Sequence, residues 1–352
     1  MMEQPPIQPT PVGALRFNTD SAKLEYFNGN EYVNITTDSP EQNTGGTRGL
    51  TAGSYPAGNQ IDFFNIDTTG NSVDFGNRTI SAQQPGSAAS RTRGCVAGGY
   101  SSSNSNIIDF VTMASQGDAQ DFGDLTSAGH GVSMCINDST RGVFAGRVSS
   151  PTFENTIDYI TIAQTGNAVD FGDISTAIRN PVGGSSPTRG VFALGRNTSG
   201  TDLNSIDFLT ISTLGNTADF GDLQFTGRYG AGGSNAIRCL MTNGVGSVNT
   251  VNFVTIATLG DALDFGDLTQ TSNTQLPVMC TSPTRAVRVA GQNSYTNTMD
   301  YAQIMTKGDF IDFGDISVAI RNPVGGSSPT RGLFALGYNY PADTNTIEYL
   351  TI

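Results

Sequence analysis

The tripeptide Asp-Phe-Gly, whose aspartate could bind a metal ion, recurs throughout this 352-residue sequence. It begins at six positions: Asp74, Asp121, Asp170, Asp219, Asp264 and Asp312. In protein kinases this tripeptide binds magnesium, together with an HRD catalytic loop, a glycine-rich nucleotide loop and a VAIK lysine. The sequence contains none of these partners. We therefore interpret the tripeptide as structural: the Phe fills space between neighbouring repeats, and the Gly permits a tight bend after it.

A second pattern combines a recurring arginine with a recurring carboxylate. The arginine is found at Arg48, Arg93, Arg141, Arg189, Arg238, Arg285 and Arg331. Six of the seven copies carry an acid in the following strand-like stretch, at Asp62, Asp109, Asp158, Asp207, Asp300 and Glu348, and Asn252 replaces it in the fifth. A buried guanidinium needs a carboxylate to offset its desolvation. The sequence thus predicts one structural ion pair per copy, with the Asp of Asp-Phe-Gly as a second candidate partner. The alternative is that the carboxylates line a channel and bind a cation.

Other residues with catalytic or metal-binding potential are few. His130 is the only histidine, whereas zinc and copper enzymes usually need more nitrogen or thiolate ligands, so we interpret it as a turn residue. The four cysteines, Cys95, Cys135, Cys239 and Cys280, lack CxxC spacing and are predicted to be small buried side chains without a disulfide. No GxSxG elbow is present. We expect no enzyme activity, no catalytic residue, no metal and no cofactor.

The composition argues against two classes of partner. The net charge is −13 and the sequence has no basic cluster. Binding to nucleic acid or to an anionic membrane needs a positive face, so neither is expected. No apolar run approaches the ~20 residues of a membrane span, and the N-terminus lacks the pattern of a secretory signal.

The spacing of the repeat predicts the fold. The recurring arginines are 45, 48, 48, 49, 47 and 46 residues apart, and periods in this range are typical of propeller blades. Each copy carries four short stretches rich in β-branched and aromatic residues, separated by Gly, Pro, Asn or Ser. Four antiparallel strands per copy make one blade. We predict an all-β, seven-bladed propeller over residues 38–352, with six blades as the runner-up. The stretch Asp170–Gly195 returns almost unchanged at Asp312–Gly337 and is interpreted as the joint between blades.

The N-terminal region differs from the repeat. Residues 1–12 contain four prolines and are predicted to form an extended arm. Residues 15–18, 23–27 and 31–35 alternate apolar and polar residues around turn signals, which indicates a small hairpin-type β module. Residues 1–37 are thus predicted to form a docking module. One strand from residues 24–46, around Tyr32–Thr37, is expected to complete a terminal blade.

The connections between the second and third strands of each copy vary most and should emerge on one face. They carry aromatic and arginine side chains, which protein interfaces favour. Ordinary solvated loops with incidental aromatic residues are the equally weighted alternative. The candidate binding residues are Tyr55, Tyr100, Arg147, Phe153, Arg196, Tyr295, Tyr338 and Tyr340.

The amino-acid sequence of the repeat resembles those of known protein families. The elements TRGVFALG, NTIDYITI and DFGDL resemble those of kelch-type propellers, although the sequence has no tryptophan. The units TRGVFA and IDYITI are more similar to virion structural proteins of tailed phages, and Gly13–Ile35 resembles a β module of phage tail fibres and other appendages. The resemblance implies a virion protein that docks to other virion proteins through residues 1–37. It also implies a loop face that binds a host receptor, a glycan or a neighbouring virion protein. A capsid-decorating or cement protein, a glycan-active propeller enzyme and a cellular kelch-like scaffold are the alternatives. A homo-oligomer is a further candidate assembly.

Overall fold

The computed structural model describes residues 10–19, 23–34, 47–132, 134–149, 151–246, 248–272, 276–289, 296–320, 322–335, 337–339 and 342–352. Within these ranges all regular elements are β-strands, and every strand pairing is antiparallel. The predicted all-β class is confirmed. None of the described residues form a helix long and apolar enough to cross a membrane.

The chain divides into two compact units, Met1–Asn43 and Thr44–Ile352. The first contains one sheet of three strands, β1 (Leu15–Asn18), β2 (Lys23–Phe27) and β3 (Tyr32–Asn34), in that order. These strands lie where the alternating sequence pattern predicts them. Because β3 pairs with β2, Tyr32–Asn34 belongs to this sheet rather than to the repeat. The remainder of the predicted closing strand, and the arm at residues 1–9, lie outside the described residues.

The second unit contains seven sheets of three or four strands in the described ranges, which we number 1 to 7 in chain order. Sheet 1 comprises β4 (Arg48–Ala52), β5 (Gly58–Asn65) and β6 (Val73–Ala82). Sheet 2 comprises β7 (Gly86–Ala89), β8 (Arg93–Tyr100), β9 (Asn104–Thr112) and β10 (Gln120–Gly129). Sheet 3 comprises β11 (Met134–Asn137), β12 (Arg141–Ala145), then, after the ribbon β13 (Val148–Ser149) and β14 (Thr152–Phe153), β15 (Thr156–Thr161) and β16 (Val169–Asp173).

The same arrangement continues to the end of the chain. A ribbon of β17 (Ile178–Arg179) with β20 (Arg196–Asn197) accompanies sheet 4, which comprises β18 (Val182–Ser185), β19 (Arg189–Ala193), β21 (Leu203–Thr210) and β22 (Ala218–Gly227). Sheet 5 comprises β23 (Gly232–Ser234), β24 (Arg238–Thr242), β25 (Val248–Thr255) and β26 (Leu263–Ser272). Sheet 6 comprises β27 (Val278–Thr281), β28 (Arg285–Val289), β29 (Thr296–Gln303) and β30 (Ile311–Ile320). Sheet 7 comprises β31 (Val324–Ser327), β32 (Arg331–Ala335) and, after the ribbon β33 (Tyr338–Asn339) and β34 (Ala342–Asp343), β35 (Ile347–Thr351).

The two end sheets have three strands for different reasons. Comparison with sheets 2 to 6 shows that sheet 1 has the second, third and fourth strands of the repeat. Sheet 7 has the first, second and third. In the described part of the chain, the outer edge of β35 therefore lacks the fourth strand that pairs with the third strand in every other sheet.

The hydrophobic cores lie between consecutive sheets. Phe122 of sheet 2, for example, packs in one cluster with Phe144 and Ile160 of sheet 3, and Phe220 of sheet 4 packs with Cys239 and Met241 of sheet 5. The Phe of Asp-Phe-Gly thus fills the space between neighbouring repeats, as the sequence predicts. It also contacts the aromatic residue of its own third strand edge-on, at centroid separations of 5.5–5.9 Å.

The Gly of Asp-Phe-Gly permits a close approach of two backbones. Gly221 has φ +142°, and a Cβ atom on it would lie 2.6 Å from the carbonyl of Gly260 in sheet 5. The amide of Gly260 donates to the carbonyl oxygen of Phe220 at 2.8 Å, and the amide of Ala262 donates to that of Asp222 at 2.8 Å. The glycine is therefore part of the joint between two sheets and not only of a bend.

Candidate functional site

The recurring arginines join consecutive sheets by a route that the sequence analysis did not predict. Arg189 donates from Nη1 to the carbonyl oxygen of Ile256 in the next sheet at 3.1 Å, and its guanidinium lies 4.7 Å from the ring centroid of Phe208. Five other copies donate in the same way: Arg48 to Met113, Arg93 to Ile162, Arg141 to Ile211, Arg238 to Ile304 and Arg331 to Ile66. The predicted pairing of these arginines with the third-strand acids is wrong.

The strand register gives the reason. Arg189 is opposite Thr210, whereas Asp207 is opposite Phe192. Three residues along a strand span about 10 Å, and an odd offset places the two side chains on opposite faces of the sheet. The same offset separates Arg48 from Asp62, Arg93 from Asp109, Arg141 from Asp158, Arg285 from Asp300, and Arg331 from Glu348.

Five of the six third-strand acids, and Asn252, instead accept hydrogen bonds from the fourth strand of the preceding sheet or from the residues just after it. Asp158 accepts hydrogen bonds from the Thr126 amide at 3.1 Å and from the Thr126 hydroxyl at 2.6 Å. Glu348 accepts from the amide and hydroxyl of Ser317. The remaining contacts of this type are Thr79 to Asp109, Ser175 to Asp207, Gln224 to Asn252 and Thr269 to Asp300. In the described residues no three His, Cys, Asp or Glu side chains lie close enough together to hold a metal ion.

Three of the acids do neutralise a buried arginine, but not the predicted one. Arg78 donates from Nε to Asp109 at 2.9 Å. Arg147 donates to Asp158, and both side chains are fully buried. In sheet 6, Arg288 lies opposite Asp300. Burial lowers the pKa of Arg288 to about 10, with Asp300 partly offsetting it, and burial raises the pKa of Asp300.

Sequence reasoning could have found these arginines as breaks in the repeat. Arg78 stands where the other five fourth strands have Leu or Ile. Arg288 stands where the other second strands have Phe, Met, Val or Thr. Arg147 stands at a position that is Gly in most copies. A charge at an otherwise apolar or Gly position needs a local partner when it is buried, and the third-strand acid is the partner that faces it.

The predicted loop-face residues differ in their surroundings. Tyr55 is 79% exposed in the turn between β4 and β5. Arg147 is buried, so its assignment to the binding face is wrong. Its guanidinium donates to Asp158, whose side chain lies at the junction of sheets 2 and 3. Phe153 lies 5.1 Å from the guanidinium of Arg179, and Arg196 donates to the Gly200 carbonyl at 2.9 Å. Tyr295 and Tyr340 lie outside the described residues, and Tyr338 is described only as part of β33.

Tyr100 and His130 lie together, and His130 lines a cavity. Their ring centroids are 5.3 Å apart, and His130 Nδ1 lies 2.7 Å from the Asn104 side-chain oxygen. Burial lowers the pKa of His130 and so favours its neutral form. The cavity has a volume of about 830 Å³ and is lined by the first strands and the turns that precede them, including His130, Arg179 and Tyr229.

The four cysteines are free thiols in the packed regions. Cys95, Cys239 and Cys280 are buried, and Cys135 is partly buried. Burial raises the pKa of each thiol to about 12. They are protonated at neutral pH and act as small apolar side chains.

Comparison with known proteins gives no assignment. No protein-family model matches the chain, and no curated protein matches it.

Proposed function

We propose that the seven sheets form a closed seven-bladed β-propeller. The repeated arginine contact supports closure, because each such arginine donates to the end of the third strand in the next sheet. In sheet 7 the equivalent donor is Arg331, and its acceptor is the Ile66 carbonyl of sheet 1, at 3.0 Å. The contact that joins sheet 4 to sheet 5 therefore also joins the last sheet to the first.

Closure can be tested by comparing two arginines. Arg189→Met and Arg331→Met each remove a charged donor to a carbonyl, and such hydrogen bonds contribute about 1.5–3 kcal/mol. We expect both variants to lower the free energy of unfolding by similar amounts within that range, measured by urea denaturation. A loss at Arg189 with less than about 0.5 kcal/mol at Arg331 would contradict closure.

We further propose that the protein is a structural component of a tailed-phage virion, in a tail fibre or tail appendage. The N-terminal sheet docks to another virion protein, and the loop face binds a host receptor or a neighbouring protein. The resemblance of the repeat and of Gly13–Ile35 supports this assignment. The exposed Tyr55 supports a binding role for the loop face.

The observation that carries the docking role is an apolar face on the N-terminal sheet. Leu15 and Phe17 on β1 are opposite Tyr26 and Leu24 on β2, so the four side chains share one face. All four are exposed, Leu15 by 64% and Phe17 by 62%. A contiguous apolar patch of this kind marks a protein interface. The opposite face carries the Arg16–Glu25 ion pair at 2.8 Å.

The docking role can be tested in assembling particles. Phe17→Glu with Leu24→Glu places two carboxylates on the apolar face. We expect at least a tenfold loss of the protein from purified particles, measured by quantitative mass spectrometry, with unchanged thermal unfolding of residues 44–352. Deletion of residues 1–37 should have the same effect. The matched control is Asn34→Glu, on the opposite face, which should assemble normally. Normal incorporation of the deletion variant would show that residues 1–37 do not dock the protein.

A further inference from the structure

The outer parts of the sheet junctions follow one pattern. In sheets 2 to 6, the amide of a glycine in the loop before the fourth strand donates to the Phe carbonyl of the preceding sheet. Five such contacts occur: Gly117 to Phe75, Gly166 to Phe122, Gly215 to Phe171, Gly260 to Phe220 and Gly308 to Phe265. The third-strand acid or amide of the later sheet adds a second contact, as Asp158 does with Thr126.

Between sheets 7 and 1 the arginine contact is made. The glycine contact and the third-strand acid contact are not made in the described residues. Arg331 donates to Ile66, which holds the two sheets side by side. Sheet 7 has no fourth strand in the described residues. Asp62 of sheet 1, the counterpart of Asp158, accepts its hydrogen bond from Gln60 in its own strand. The loop at Gly70 belongs to sheet 1 and has no Phe carbonyl beside it in the described part of the chain.

The side chains around this gap are correspondingly uncovered. Ser72 is exposed, whereas its counterparts Ala168 and Phe310 are buried. Tyr349 of β35 is 51% exposed. In the six other sheets the residue equivalent to Tyr349 contacts the Phe of Asp-Phe-Gly at 5.5–5.9 Å. The gap is thus bounded by an unpaired strand edge, by an aromatic ring that contacts Arg331 but not a Phe, by a carboxylate and by a glycine amide.

We propose that this gap is a docking site for a β-strand of a partner polypeptide that carries an Asp-Phe-Gly sequence. The strand pairs with the outer edge of β35, with its Asp opposite Glu348 and its Gly opposite Ile347, as Asp219 and Gly221 pair with Asp207 and Ile206. The Phe covers Tyr349, and its carbonyl accepts from Gly70. An amide or hydroxyl five residues after the strand's Asp donates to Asp62, as in the other junctions. This proposal rests on the closed arrangement proposed above.

The sequence favours a strand from outside these 352 residues. Gly is needed directly after the Phe, because a Cβ at this position meets the backbone of the next sheet, 2.6 Å away at Gly221. The chain contains six Phe-Gly pairs, in Asp74–Gly76 and its five counterparts, and all six belong to fourth strands of sheets 1 to 6. Residues 1–46 contain neither Phe-Gly nor Tyr-Gly. Strand addition to an exposed sheet edge is an established mode of peptide recognition.

The proposal can be tested with a fluorescein-labelled peptide of residues 168–175, AVDFGDIS, and the full 352-residue protein. We expect saturable binding with one peptide per chain in fluorescence anisotropy. The peptide with Val in place of its Gly should bind at least tenfold more weakly. In the protein, Asp62→Ala should weaken binding at least fivefold. Asp67→Ala, an exposed acid of the same sheet, removes the same charge and should leave binding unchanged.

Each other outcome overturns the proposal. Equal binding of the Val peptide, or equal effects of Asp62→Ala and Asp67→Ala, shows that the contact is not the one described. Binding that appears only after deletion of residues 1–37 shows that the protein's own N-terminal region fills the gap. A dimer that the peptide dissociates, measured by light scattering, shows that a second copy fills it. Absence of binding when Arg189→Met and Arg331→Met are equivalent rejects the docking site alone, whereas absence of binding together with unequal arginines rejects the closed arrangement.

Discussion

Replacing Asp158 by Ala is expected to lower the free energy of unfolding by about 3 kcal/mol, because it removes the closer of the two carboxylates that pair with the buried guanidinium of Arg147 and leaves only Glu154, at 3.5 Å. Both side chains are fully buried. Asp158 also accepts from the amide and hydroxyl of Thr126 in the preceding sheet. The substitution therefore removes one contact within sheet 3 and the contacts that join sheets 2 and 3. Urea denaturation followed by circular dichroism measures the effect.

The matched control is Asp62→Ala. Asp62 occupies the same position of the repeat but is only partly buried and accepts from Gln60. A partly exposed acid with one neutral partner contributes little, so we expect a loss below about 1 kcal/mol. Equal losses in the free energy of unfolding of the two variants would mean that the pairing of Asp158 with the buried Arg147 does not contribute measurably to stability.

Gly221→Ala is expected to lower the free energy of unfolding by about 2–6 kcal/mol. The residue has φ +142°, where a side chain is strained by about 1–3 kcal/mol. Its Cβ would also lie 2.6 Å from the Gly260 carbonyl, and overpacking adds about 1–3 kcal/mol. Relieving this clash requires the two backbones to move apart, which weakens the two hydrogen bonds from Gly260 and Ala262 that join sheets 4 and 5.

Gly314→Ala separates the two causes. Gly314 has φ +120°, but nothing lies within 4 Å of the position of its Cβ. We expect the conformational part of the cost alone, about 1–3 kcal/mol. If thermal and urea unfolding give the same loss for both variants, the close approach between sheets contributes nothing measurable.

Much of the fold could be predicted because the chain contains seven copies of one unit, and their sequences can be compared with one another. Seven arginines at nearly constant spacing gave the period, and the short stretches of β-branched and aromatic residues between Gly, Pro, Asn and Ser located the strands. The three strands of the N-terminal sheet were found from turn signals around alternating residues. The role of Phe between sheets followed from its recurrence, since a large apolar residue needs a buried place in every copy.

The contacts of individual side chains could not be predicted in the same way. The arginines and acids recur together, but the sequence does not reveal that an odd offset in register places Arg189 and Asp207 on opposite faces. Arg147 was assigned to a loop because it lies between the second and third strands of its copy, and only the packing shows that its side chain contacts Asp158. The glycine of Asp-Phe-Gly suggested a bend, whereas its contact with the next sheet depends on how two sheets pack.

We propose that this protein is a virion component that docks through its N-terminal sheet and presents a propeller. A cryo-electron microscopy reconstruction of purified particles from the source of the gene tests it most directly. We expect density for a ring of seven sheets at the tail, with the Leu15 and Phe17 face of the N-terminal sheet against another virion protein. Particles that lack the protein, or a reconstruction in which that face points to solvent and the loop face contacts the particle, would contradict it.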